Sequence, residues 1–175
     1  MFITHPISPC FDADSRILIL GSFPSVKSRE QMFFYGHPQN RFWKVLAAAL
    51  EEGEPASVPE KKELLAKHHI ALWDVIGSCE IEGSSDASIG SVTANDLSAI
   101  LDHAKIRRIL VNGKTAEKYY KKFSLPKTKT EAVCLPSTSP ANAAWSLEKL
   151  VRVWSAEIRK GLAEDEASLA KWPEG

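Results

Sequence analysis

Four short apolar runs constrain this chain more than any other feature: Ile17–Leu20, Ile70–Val75, Arg108–Val111 and Ala132–Leu135. None alternates apolar with polar residues, which is the pattern of strands covered on both faces rather than one. Helical stripes separate them. Phe42, Val45, Leu46 and Ala49 recur at helical spacing, as do Leu97, Ile100 and Leu101. Residues Ala116 to Phe123 form another stripe, and Leu147, Leu150, Val151, Trp154 and Ile158 form a long last one. Strand and helix in alternation predict an α/β fold, a three-layer α/β/α sandwich around a four-stranded, mainly parallel sheet. At 175 residues the chain is one domain, expected over residues 1–163, with 164–175 as a C-terminal tail. The Ser- and Gly-rich connection from Gly77 to Thr93 is expected to be a functional or mobile loop.

Charge excludes a uniformly basic binder. There are 22 basic and 22 acidic residues, so counterion release cannot be large over the whole surface. Nine cations are nonetheless crowded between Lys105 and Lys129. Such a run is a solvated face or a local contact surface. Cys10, Cys79 and Cys134 lie far apart without C-x-x-C spacing, as in a reduced, cytoplasmic protein without a zinc or iron–sulfur framework. No metal and no cofactor is expected. His68-His69 ends a helical segment without a partner at metal-ligand spacing. No apolar stretch is long enough for a membrane span, and no membrane partner is expected.

In open α/β sheets, ligands settle at the carboxyl ends of the strands. Two turn-rich segments emerge there, "GSFPS" (Gly21–Ser25) after the first strand and "LPSTSPAN" (Leu135–Asn142) after the last. The first leads through "FFYGHPQN" to the helix beginning near Arg41, so Asn40 can share one rim with both loops. Gly21, Pro24 and Pro38 also suit plain turns, Asn40 suits a helix N-cap, and Asn142 suits a cap for the final helix. "NGKTA" (Asn112–Ala116) imitates a phosphate-binding loop, but that motif needs glycine where Arg108 stands. Ser22 or Ser25 as a hydrolase nucleophile lacks the G-x-S-x-G elbow.

Together these segments resemble the uracil-DNA glycosylase superfamily. "GHPQNRFWKV" is similar to the H-P-x-N-R-F-W-K-V stretch of its mismatch-specific uracil/thymine branch, "VNGKTA" to that branch's V-x-G-K-x-A turn, and "SLEKLV" to the start of its last helix. G-S-F-P-S, F-F-Y-G-H-P-Q-N-R-F-W and L-P-S-T-S-P-A-N-A together resemble the hypoxanthine-DNA (deoxyinosine) glycosylase branch in particular. The resemblance covers about Ile17 to Trp154, with the motifs in order. It implies hydrolysis of the N-glycosidic bond of a deaminated base, hypoxanthine foremost, flipped out of DNA in base excision repair. Uracil or G/U-mismatch cleavage is the alternative, as is a catalytically silent module that binds damaged DNA.

The departures matter as much. Where the mismatch-specific branch holds its water with an Asn in the first loop, this chain has Phe23, and the water-activating Asp of the uracil enzymes is missing. The deoxyinosine branch implies that Asn40 takes over as catalytic residue, orienting a water that an amide cannot deprotonate. The base site implied comprises Gly21, Ser22, Phe23, Pro24 and Tyr35, the last as stacking platform. Asp74 and Asn112, at strand ends, are candidates to read the base edge. DNA contacts fall to Ser25, Ser137, Thr138, Ser139 and Lys114, with Pro140, Ala141 and Asn142 as a wedge weakened by the small Ala141. The expected partner is DNA containing a deaminated base, met by a monomer.

Overall fold

A computed structural model describes residues 1–170, of which 164–170 by their backbone alone. The expectation of a tail over 164–175 therefore falls largely outside the described side chains, and 171–175 lie outside the described residues altogether. In chain order the strands are β1 (Phe2–Thr4), β2 (Ile17–Gly21), β3 (Ile70–Asp74), β4 (Ile76–Glu80), β5 (Gly90–Ala94), β6 (Arg108–Asn112) and β7 (Ala132–Leu135). The helices are α1 (Val26–Gln31), α2 (Phe42–Ala49), α3 (Val58–Lys67), α4 (Ser98–Leu101), α5 (Lys114–Tyr119), α6 (Leu125–Thr128) and α7 (Leu147–Ala170).

The four apolar runs form one sheet in the order β3-β2-β6-β7, and every neighbouring pair is parallel. β2 lies centrally and is buried along its whole length. Its side chains explain the absence of alternation: Ile17 and Ile19 face one core, Leu18 and Leu20 the other. The first core receives Phe42, Trp43, Val45 and Leu46 from α2, Leu64 and Leu65 from α3, and Leu150, Trp154 and Ile158 from α7. The second receives Ile100 from α4 and Ala116 and Tyr119 from α5. The layers are thus helices, sheet and helices, as the sequence predicts.

The connection after β3 departs from expectation. Instead of a loop from Gly77 to Thr93, β4 and β5 pair antiparallel and β1 adds to the outer edge of β4. Ile76 and Cys79 point inward from this small sheet and join the second core. Burial of that face outweighs the weak strand propensity of its glycines and serines. Only residues 81–89 remain as a loop, with one short helical turn at Asp86–Ser88.

Across the first core, Glu157 of α7 meets Arg108 of β6 at 2.8 Å. The Arg108 hydrogen bond, chiefly, holds the Glu157 carboxyl below its ordinary range. A depressed folded-state value means stability that is present above the ordinary carboxylate range and lost as pH falls through the lowered one. The melting-temperature gap between the native chain and Glu157→Gln should therefore be open at neutral pH and close as pH drops below about 4.

Candidate functional site

All four parallel strands end on the same edge, and a cleft of about 500 Å³ opens there. Gly21, Ser22, Phe23, Pro24, Ser25, Tyr35, Asn40, Asp74, Asn112, Ser137, Thr138, Ser139, Pro140 and Ala141 all line it. Fourteen of the sixteen residues singled out from the sequence thus share one cavity. The other two do not line it. Lys114 is exposed at the start of α5. Asn142 turns back, its Nδ2 donating to the Ser137 carbonyl at 2.9 Å. Nor does Asn142 cap the final helix: α7 begins five residues later, and Ser146 Oγ accepts from Lys149 N–H at 3.2 Å.

Asn40 does two things with its two ends. Its Oδ1 accepts the Phe42 N–H at 2.9 Å, supporting the first turn of α2 much as a cap does. The same oxygen accepts the Thr138 hydroxyl at 2.8 Å. Both lone pairs are then occupied, and Nδ2 donates to no group among the described residues. Because the side chain lines the cleft, this N–H₂ is the end offered to a ligand or water.

Thr138 needs a corrected role. A phosphate contact is expected from the sequence, but the residue is wholly buried. Its Oγ1 receives Asn112 Nδ2 at 3.0 Å while its N–H donates to Asn112 Oδ1 at 3.1 Å. Thr138 therefore bridges Asn112 to Asn40 and sets the orientation of both amides. Asn112 is largely consumed by this work, which weakens it as a reader of the base. Ser137 and Ser139 accept backbone N–H groups two residues on, both at 3.1 Å, and keep their hydroxyl protons for another partner.

The two loops are physically tied. Arg41 N–H donates to the Thr138 carbonyl at 3.1 Å, and its guanidinium reaches the Ser139 and Asn142 carbonyls, each at 3.1 Å, and that of Trp145. Trp154 in α7 donates its indole N–H to the Pro136 carbonyl at 3.0 Å. In the first loop the backbone N–H groups of Ser22 and Phe23 find no backbone or side-chain acceptor among the described residues. Phe23 is buried, edge-on to the His5 ring, so this side of the cleft is an apolar wall. Neither serine there is set up as a nucleophile. Ser22 Oγ donates to Asp86 at 3.1 Å, and Ser25 Oγ caps α1 by accepting from Ser28 N–H.

Beneath the opening sits a denser polar cluster. Asp74 is buried at the end of β3, and its Oδ2 lies 2.8 Å from His5 Nε2. Tyr35 adopts a left-handed backbone (φ 54°) and stacks its ring on Phe42 at 3.9 Å. One face of that ring is thus already covered. Its hydroxyl is buried without a hydrogen-bond partner among the described residues. Burial first, then the Asp74 charge, pushes this phenol far above its ordinary range, while the nearby Asn112 amide offsets a little of that without making a well-formed hydrogen bond. It stays a neutral donor. Gly21 makes the cluster possible: a Cβ there would lie 2.5 Å from Asp74 Oδ1 and 3.0 Å from the Tyr35 hydroxyl. Gly21→Ala should cost about 1–3 kcal/mol, as overpacking does, and cleavage should fall more than stability because both displaced atoms face the cleft. Chemical denaturation and single-turnover assays separate the two effects.

Sequence reasoning missed His5 and the cleft residues Ser28, Phe34, His37, Ser84, Ser85, Asp86 and Ala87. Asp86 is exposed as a whole residue, yet its carboxyl bonds Ser22 at the cleft. Burial of that group raises its pKa, the Asp74 charge adds to this, and the Ser22 and Thr115 hydroxyls oppose it. Phe34 and His37 lie within the F-F-Y-G-H-P-Q-N stretch without being singled out there, and no local motif marks the others. Ser84 to Ala87 reach the cleft through the pairing of β4 and β5, which the sequence does not announce.

A parallel sheet with a cleft at its carboxyl edge, walled by two proline-bearing loops and lined by the Asn40 side chain, places this chain among the DNA glycosylases. The chain belongs to the uracil DNA glycosylase superfamily, whose family model matches residues 9–157. A hypoxanthine DNA glycosylase of Methanosarcina acetivorans is 37% identical over 150 residues, spanning 85% of this chain and 93% of that protein. One of Methanosarcina barkeri is 34% identical over 113 residues, spanning 63% and 72%. The solution NMR structure of a Methanosarcina acetivorans protein described as a candidate uracil DNA glycosylase has a TM-score of 0.78 at 33% identity, covering 92% of this chain and 99% of that one.

Proposed function

We propose that this protein removes hypoxanthine from DNA by hydrolysing its N-glycosidic bond, with Asn40 as the catalytic residue, in base excision repair. The observation that carries the reading is the free Asn40 amide on the same rim as both loops; the Methanosarcina relatives named for hypoxanthine favour that base.

Glycosyl transfer passes through an oxocarbenium-like sugar, a strong electrophile that asks little of its nucleophile. Asn40 Nδ2–H donates to a water oxygen and leaves a lone pair directed at the anomeric carbon. No base is needed at that stage, because the oxonium formed when water adds loses its proton afterwards to the departing purine anion or to solvent; positioning supplies several kcal/mol of barrier reduction, on the order of effective-molarity effects. Negative charge develops on the departing purine and is met by the Ser22 and Phe23 N–H groups. The base first leaves the helix at a cost of a few kcal/mol, least when mispaired.

DNA lies along the rim, with Ser25, Ser137 and Ser139 toward phosphates and Lys114 further out. Exposed Pro140 and Ala141 form the wedge, and Asn142 stiffens the loop behind it. A short wedge on a chain of zero net charge gives modest affinity and little preference for the opposite base. All these residues come from one chain, so a monomer comprising residues 1–163 suffices. Unpaired Cys10, Cys79 and Cys134 suit a reducing cytoplasm.

A panel of oligonucleotides, each carrying one hypoxanthine, uracil or xanthine, followed by alkali cleavage, tests this. Strand breaks first and fastest at hypoxanthine are expected. Faster breaks at uracil would replace the substrate, and retarded bands without breaks would leave only a DNA-binding module.

A further inference from the structure

We infer that His5 is a positioning residue for base recognition, holding Asp74 so that one carboxylate oxygen accepts the ring N–H that lies beside a carbonyl in a deaminated base. This rests on the substrate reading above and adds to it a residue outside every motif of the two loops.

The geometry fixes the direction of each hydrogen bond. His5 is anchored by its own N–H, which donates to the Gly77 carbonyl at 2.7 Å. Its side chain is 2% exposed and is enclosed by the rings of Phe23, Phe34 and Trp73. Nδ1 lies 3.2 Å from the Ile7 N–H and must accept from it. The ring proton therefore sits on Nε2, which donates to Asp74 Oδ2 at 2.8 Å. The bond to Oδ2 favours one orientation of the carboxylate. Oδ1 lies beside Gly21 at the cleft and accepts no hydrogen bond among the described residues. The Asp74 backbone is pinned as well, its carbonyl accepting Asn95 Nδ2 at 2.9 Å.

A carboxylate oxygen held in this way only accepts. Hypoxanthine presents N1–H beside its C6 carbonyl, and uracil an N3–H between two carbonyls. Adenine presents a bare ring nitrogen, so two lone pairs would face one another in a buried site. Sites built to pair a substrate N–H reject analogues lacking it by large factors, because their own polar groups are left unpaired. The unpartnered Tyr35 hydroxyl near the same Gly21 position supplies an independent sign of a waiting ligand. A buried, unpaired hydroxyl is destabilising, and a base carbonyl is the acceptor that would satisfy it.

The test compares single-turnover cleavage of deoxyinosine with that of its N1-methyl analogue, in which a methyl group replaces the ring proton. The native chain should prefer deoxyinosine by at least about 100-fold. His5→Phe fills the aromatic enclosure without a donor. It should slow deoxyinosine cleavage about tenfold or more and collapse that preference. His5→Gln, whose amide nitrogen can occupy the Nε2 position, should keep the preference within about threefold. His5→Asn, too short to reach Asp74, stands in if the Phe variant does not fold, as judged by its melting temperature. Uniform slowing of both substrates with the preference retained would reduce His5 to a structural role and overturn the inference. If the native chain cuts uracil instead of hypoxanthine, the substrate reading fails by itself, and the same variants are scored on deoxyuridine against its N3-methyl analogue. A native chain inert on every base overturns both.

Discussion

Asn40→Ala should cleave deoxyinosine DNA at least about 100-fold more slowly than the native chain, the scale of losing a positioned donor at a reaction centre. The same change removes the acceptor for Phe42 N–H and the Thr138 hydroxyl. Stability should therefore fall as well, by about 1–2 kcal/mol, or several degrees of melting temperature in a chain of this size. The two losses come from different atoms and can be separated. Asn40→Asp keeps an oxygen for both donors but replaces the free N–H₂ with a second acceptor. It should recover melting temperature without recovering cleavage. An active Asp variant would mean that the position works by accepting a proton from water, as a carboxylate would, and that the donor assignment is wrong. Thr138→Val, which keeps the volume and loses the hydroxyl, provides a control. It leaves Asn40 Nδ2 intact but unfixed, so a partial loss of rate is expected.

How far the chain could be read without coordinates follows from where its information sits. Burial on both faces writes itself into β2, β3, β6 and β7 as unbroken apolar runs, so the sheet and its parallel sense are legible. Strand order is not, because each run pairs equally well with any other until crossovers are fixed. The antiparallel addition of β1 and β5 to β4 was hidden by composition: its glycines and serines read as loop, and only Ile76 and Cys79 packing inward reveals a sheet. The site divides in the same way. Residues gathered in contiguous motifs, from Gly21 to Ser25 and from Ser137 to Ala141, were visible as turns at strand ends. His5 was not visible, since it lies 69 residues from Asp74 in sequence and belongs to no motif. Thr138 was visible but misread. Its position in a Ser/Pro loop suggests exposure, whereas the Asn112 and Asn40 amides draw it inward. Asn40 meets the helix-support expectation through Oδ1 and leaves Nδ2 without an acceptor among the described residues; its catalytic role stays a proposal.

Arg41→Ala should be the most damaging change outside the cleft itself. Its guanidinium bonds three carbonyls between Ser139 and Trp145, of which those of Ser139 and Asn142 also accept a backbone N–H within the segment. Hydrogen bonds to a charged group are worth about 1.5–3 kcal/mol each when a buried partner is left behind, though such losses do not add fully. A net destabilisation of about 3 kcal/mol is expected, measurable by urea unfolding, together with release of the 139–145 segment. DNA binding and chemistry should then diverge. Ser139, Pro140 and Ala141 would lose their fixed placement, so the dissociation constant for deoxyinosine duplex should rise about tenfold or more, the effect of adding an ordering cost to binding. Single-turnover rates at saturating DNA should fall less, because Asn40 is still held by Phe42 and by Thr138, whose own place is kept by Asn112. Arg41→Lys should not restore affinity: an ammonium on a flexible stem cannot present the planar fork that spans three separate carbonyls. Equal losses in affinity and saturated rate would show instead that the guanidinium supports the reacting centre directly, and that the second loop needs no brace from the helix entrance.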